Sequence, residues 1–182
     1  YRKSFLGITW LVVGPIISVF SWVFMNSTGI LNPGETIIPY PAFILMSTTI
    51  WGLFVGVYGA STGTLSAGGG IILQVKYAHE VLLVKQVAQQ LASFIINFVL
   101  ILIALFFWGI VPGWQFLLFP LLILPALVLA SGVGLLVSVI GVIIPEIQKV
   151  ADVLIGLLIW ITPVIYTANS KPAYLQKILE WN

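Results

Sequence analysis

The chain has 182 residues, 60% of them hydrophobic and only 7% charged, with a mean hydropathy of +1.17. A water-soluble domain carries roughly 25% charged residues, so this composition cannot cover a surface in water and reads as an integral membrane protein. A net charge of +2 without a basic run offers nothing to nucleic acid, and the lack of cysteine excludes disulfides and thiolate metal or redox sites.

A helix needs about 20 apolar residues to cross a bilayer core. Five stretches are read as spans, at residues 5–24, 41–60, 89–108, 116–140 and 151–166, and they predict an all-α polytopic fold forming a single transmembrane domain over residues 1–182. The first follows Arg2 and Lys3 and is too long for the apolar core of a signal peptide. The second carries Gly52, Gly56, Gly59 and Gly63, two overlapping G-x-x-x-G units that permit close packing within one chain or between copies. Gly68 to Gly70 then break the helix. Beyond them Ile71, Ile72 and Val75 recur at helical spacing among Gln74, Lys76, His79 and Glu80. This predicts a short amphipathic helix over residues 70–80, and its apolar edge favours a docking element over a plain charged loop.

The third span carries Gln86, Gln90, Ser93 and Asn97 in one narrow wedge of the helix. Amides are costly in hydrocarbon unless paired, so the stripe should face protein or a wet path. Hydrogen bonding between helices explains it as well as a substrate contact does. An uncharged turn at Gly109 to Gly113 makes a tight hairpin into the fourth span, which contains Pro120 and Pro125. The fifth span is short. After it, Tyr174, Leu175, Ile178, Leu179 and Trp181 alternate with Lys and Glu, the pattern of a helix over residues 170–182 lying in the outer interface.

Cations set the direction. Arg2, Lys3, Lys76, Lys85 and Lys149 all fall on one side if the spans alternate, and only Lys171 and Lys177 fall on the other. Positive charge stays inside, so the N-terminus is expected in the cytoplasm. Trp22, Trp108 and Trp114 fall at outer span ends, where an interfacial aromatic belt explains them. Trp10, Trp51 and Trp160 sit deeper. Such rings can stack on sugars or line a pore, and they equally serve as filler between helices.

Several chemistries are missing. His79-Glu80 begins like a zinc-protease H-E-x-x-H motif, but Leu83 stands where the second histidine is needed. No pair of aspartates lies in the spans, and there is no Walker A loop. None of the five acids, Glu35, Glu80, Glu146, Asp152 and Glu180, is expected at mid-span, with Asp152 near the inner end of the fifth. Proton coupling usually needs such a group. A sodium site of carbonyls and hydroxyls stays open.

Four stretches, with the terminal Leu179 to Asn182, resemble the membrane subunit of type-2 ABC exporters, specifically the polysaccharide and polyol-phosphate export permeases. These are Tyr1 to Pro15 (a basic pair, Leu-Gly, Trp, Pro), Gly69 to Val81 at the family's coupling helix, Ile144 to Val150 at its turn between spans four and five, and Trp160 to Thr167 with its Pro-Val-Ile-Tyr signature. The family commonly has Arg-Asp where Pro145 and Glu146 stand here, and a proline where Ala78 stands. The family's N-terminal interfacial helix and sixth span are not seen, and the chain is expected to be a fragment.

The resemblance implies a bacterial inner-membrane permease without its own ATPase, working as a homodimer. A separate ATPase subunit would bind ATP and magnesium, and the cargo would be a lipid-linked glycan such as O-antigen, capsule or teichoic acid. It implies ATPase contacts at Ile72, Lys76, Tyr77, His79 and Glu80, with Glu146 as a further one, and a translocation path near Trp10, Trp51, Asn97, Trp160 and Tyr166. The alternatives are a membrane enzyme acting on lipid-linked sugars, for which Glu35 and His79 are the obvious catalytic groups but fall on opposite sides, an ABC exporter of drugs or lipids, and a passive channel.

Overall fold

The computed structural model describes residues 9–68 and 79–167, with side chains for all of these except 64–68, 79–83, 115 and 117. Among the described residues the regular structure is all helical: α1 Trp10–Ser27, α2 Tyr40–Gly68, α3 His79–Phe107, a 3-10 turn Trp114–Leu118, α4 Phe119–Leu122, α5 Leu124–Ile143 and α6 Pro145–Ile161. Four segments among the described residues are long and apolar enough to cross a membrane: Trp10–Ser27, Tyr40–Gly63, Val84–Phe107 and Phe119–Ile143. At about 1.5 Å per residue, the 29 residues of α2 and of α3 each run well past the roughly 30 Å hydrocarbon core. The large apolar side chains exposed on α1, α3 and residues 119–143 are Trp, Phe, Leu, Ile and Val, the surface a bilayer accepts. The chain is therefore a multi-pass membrane protein.

Helix ends follow from glycine and proline. α1 stops where Ser27 and Thr28 hydroxyls donate to the Phe24 carbonyl and Gly29 turns left-handed at φ 74°. α3 ends in a Schellman turn. Gly109 takes φ 68°, its N–H donates to the Phe106 carbonyl, and the Ile110 N–H donates to Leu105. The expected fourth span is interrupted at Ile123, because Pro120 and Pro125 each lack the N–H that would bond one turn back and crowd that carbonyl.

The fifth span needs correction. Its helix begins at Pro145 and ends at Ile161, instead of covering 151–166, and its 17 residues fall just short of the spanning length. Proline is pre-shaped for a first helical position, and Ile144 before it is extended. At the other end Pro163 cannot continue the helix. The expected turn at 144–150 is thus one residue, Ile144, and Glu146 lies in the first turn of α6, where its charge suits the helix dipole.

The chain divides into two compact units, to which α2, α3 and α6 each contribute. One comprises Tyr1–Trp51, Ser93–Gly113 and Leu158–Asn182, the other Gly52–Ala92 and Trp114–Leu157. The first has an apolar core of Tyr40, Ile44, Val164, Ile165 and Tyr166, against which Trp22, Phe43, Trp51 and Ile159 pack. In the second, α5 presents a stripe of small buried residues, Ala130, Gly134, Ser138 and Gly141. A Cβ on Gly134 would lie 2.6 Å from Ser61 Cβ and 2.7 Å from the Tyr58 carbonyl oxygen, so α2 and α5 touch backbone to backbone. Ser138 Oγ donates to the Thr62 carbonyl at 2.8 Å across that contact. Small residues that let helices approach are the usual adhesive in lipid, where the hydrophobic effect gives no drive.

Candidate functional site

The 162–167 segment after α6 is non-helical and deeply held. Val164, Ile165 and Tyr166 are buried, and the Tyr166 hydroxyl donates to the Trp160 carbonyl at 2.8 Å and the Ile161 carbonyl at 3.2 Å. Those are end carbonyls of α6, left without helical donors. Tyr40 donates to the Ile165 carbonyl, while the Thr167 N–H and hydroxyl both donate to the Pro33 carbonyl at 2.8 and 2.9 Å. Pro33 is presented by an Asn32–Gly34 turn in which the Gly34 N–H donates to Asn32 Oδ1. The Pro-Val-Ile-Tyr stretch thus knits the end of α6 to the loop between α1 and α2.

The second unit holds a mixed, mainly apolar cleft of about 420 Å³ between α2 and α6, lined by Tyr58, Gly59, Thr62, Gln148, Asp152 and Gly156 among others. The Tyr58 hydroxyl donates to Asp152 Oδ1 at 2.9 Å. Asp152, expected near the inner end of its span, stands midway along Pro145–Ile161, because the helix starts six residues earlier than expected. A further groove of about 370 Å³, in the first unit, is almost wholly apolar and runs past Pro15, Ile16, Leu45, Leu100 and Phe107.

Of the residues proposed for the path, Trp51, Trp160 and Tyr166 gather around one core, while Trp10 and Asn97 lie elsewhere. Trp51 packs against the Tyr40–Ile165 core, and Tyr166 is part of it. Trp160 lies edge-on to Trp22 with ring centres 6.1 Å apart. Trp10 is exposed at the start of α1, and Asn97 lies on α3 with its Oδ1 buried and unpaired. Gln86 Oε1 is likewise buried without a partner, while the Gln90 amide lies where a Cβ on Gly56 would sit, 2.6 Å away. The amide stripe therefore faces protein at Gln90, and one glycine of the G-x-x-x-G series receives it. Gly52, Gly59 and Gly63 have open space beside them.

Of the expected ATPase contacts, Ile72, Lys76 and Tyr77 lie outside the described residues, as does the 170–182 segment. His79 and Glu80, expected at the end of the amphipathic helix, open α3 instead. Glu146 is exposed. Among the described residues no three His, Asp or Glu side chains converge as metal ligands. Sequence reasoning missed the Tyr58–Asp152 pair and the small-residue face of α5. The latter was readable as Ala130-x3-Gly134-x3-Ser138-x2-Gly141.

Comparison with known proteins adds the family. The chain is 25% identical to the O-antigen export system permease protein RfbA of Myxococcus xanthus, over 93% of this chain and 64% of that protein. It is 20% identical to RfbA of Klebsiella pneumoniae, over 100% of this chain and 70% of the relative. It is 26% identical to the polysialic acid transport protein KpsM of Escherichia coli, with the same coverage. It thus spans about two thirds of the length of these relatives. The ABC-2 type transporter membrane model matches residues 1–182, and with every residue of this helical, bilayer-facing chain accounted for, the chain belongs to the ABC-2 type transporter family.

Proposed function

We propose that this chain is the membrane-embedded permease subunit of an ATP-driven exporter, moving a lipid-linked polysaccharide of the O-antigen, capsule or teichoic-acid type across the bacterial inner membrane. The observation that carries the reading is the family match over residues 1–182 together with relatives named for O-antigen export and polysialic acid transport. The permease acts as a homodimer with its N-terminus in the cytoplasm, and α6 serves as a fifth span. ATP and magnesium are bound by a separate ATPase subunit, and this chain does no hydrolysis itself.

Force enters through the segment between α2 and α3. Only ten residues, 69–78, separate the end of α2 at Gly68 from the start of α3 at His79. A push on Ile72, Lys76 and Tyr77, backed by His79 and Glu80, therefore reaches two 29-residue helices at once. Glu146, in the first turn of α6, offers a further contact.

The test is co-purification of the full-length exporter. Lys76→Glu combined with Glu80→Lys should cut the retained ATPase subunit at least tenfold while the permease still reaches the membrane. Undiminished retention overturns the docking assignment. Turnover of a lipid-linked sugar by the chain without ATP overturns the transport reading.

A further inference from the structure

Asp152 is the last charged residue of α6 before its apolar second half, and a carboxylate there needs either a partner or water. Asp152 has a neutral one, the Tyr58 hydroxyl at 2.9 Å, and no Lys or Arg lines the cleft it faces. Its carboxylate thus has a hydrogen-bond donor from α2, with Lys149 one turn earlier on its own helix. The cleft is open, and its volume of about 420 Å³ falls within the roughly 300–1,000 Å³ of small-molecule sites. Two of its walls are bare backbone, because a Cβ on Gly59 or Gly156 would meet nothing within 4 Å. Gln148 on α6 adds an amide, and Thr62 on α2 a hydroxyl that donates to the Gly59 carbonyl.

We propose that this cleft is a sugar subsite, in which the Asp152 carboxylate accepts hydrogen bonds from adjacent hydroxyls of one pyranose unit whose ring lies over the glycine walls beside Tyr58. The inference rests on the transport reading above and names where the glycan is held. The donor set fits hydroxyls better than a metal. A hard cation takes six or more oxygens, and no three acidic or histidine ligands converge here. Charge-assisted bonds from neutral hydroxyls to a fixed carboxylate are strong enough to orient a ring, and sparse enough to release it. Tyr58 is a positioning residue, since its hydroxyl fixes the carboxylate rotamer.

These 182 residues hold no cysteine, so once any cysteine elsewhere in the full-length permease and its ATPase is replaced, a single introduced cysteine reports cleanly. In nanodiscs, the thiol of Gly156→Cys should react with the membrane-impermeant reagent 2-(trimethylammonium)ethyl methanethiosulfonate at least tenfold faster than that of Leu154→Cys, whose parent side chain is 58% exposed on the apolar surface. In cells, p-benzoylphenylalanine at position 156 should photocrosslink to the glycan, and Asp152→Asn and Gly156→Trp should each lower surface glycan at least tenfold. The ATPase subunit should still co-purify with both variants, and Asp152→Glu should restore part of the export. Slow labelling, no crosslink, or normal export through Gly156→Trp overturns the subsite. Spontaneous disulfide dimers of Gly156→Cys overturn it too, since a second copy would then fill the cleft. Failure of the transport reading shows separately, as surface glycan that persists in cells lacking this chain, while the labelling contrast still reports whether the cleft is wet.

Discussion

Substituting Gly134→Ala adds one methyl group where α5 meets α2. The new carbon would stand 2.6 Å from Ser61 Cβ, 2.7 Å from the Tyr58 carbonyl oxygen and 3.4 Å from the Thr62 nitrogen. Two of those three atoms are backbone, so relief requires the helices to separate by several tenths of an ångström. That movement also stretches the 2.8 Å bond from Ser138 to the Thr62 carbonyl. Overpacking of this kind costs about 1–3 kcal/mol. Helix propensity works the other way, by up to about 1 kcal/mol for Gly to Ala, and Gly132→Ala on the same helix isolates it, since nothing lies within 4 Å of that position. The difference between the two variants is the packing cost. At about 2–4 °C per kcal/mol for a chain of this size, Gly134→Ala should melt roughly 2–12 °C below Gly132→Ala in detergent, followed by tryptophan fluorescence. Gly56→Ala is a second control, because its 2.6 Å clash is with the movable end of Gln90 and should have little effect. Equal midpoints for Gly134→Ala and Gly132→Ala would refute the backbone contact.

Tyr166→Phe leaves the Trp160 and Ile161 carbonyls without their hydroxyl donor, and should lower the same midpoint by the equivalent of about 1–3 kcal/mol. Thr167→Val removes one of two donors to the Pro33 carbonyl, with a smaller loss of about 0.5–1.5 kcal/mol. Asn97→Leu should leave the midpoint unchanged or raise it, since the buried Oδ1 has no partner to lose. A clear fall would mean that the amide is bonded in the assembled protein.

Long apolar runs made the membrane class and four spans legible, because length and composition alone decide whether a helix can cross. Glycine and proline punctuation was legible in kind but not always weighted correctly. Pro163 was read as part of a span when it terminates one, and Pro145 as part of a turn when it starts a helix. The amide stripe was expected to face protein or a wet path, and at Gln90 it faces protein, yet sequence could not tell which glycine would receive it. The Tyr58–Asp152 pair lay out of reach for a different reason. Its members are 94 residues apart, on helices whose relative rotation no periodicity specifies. The α5 contact was hidden by attention to glycine pairs, when a mixed Ala, Gly and Ser face does the same steric work.

The Thr167–Pro33 clamp has a consequence for biogenesis. Its partners are separated by 134 positions. At about 5–20 residues per second of synthesis, roughly 7 to 27 s elapse between the emergence of the first partner and that of the second. Throughout that interval the Pro33 carbonyl lacks its Thr167 donors and Tyr40 its Ile165 acceptor. The hairpin of α1 and α2 must therefore insert as a provisional assembly, closed only when residues 165–167 arrive.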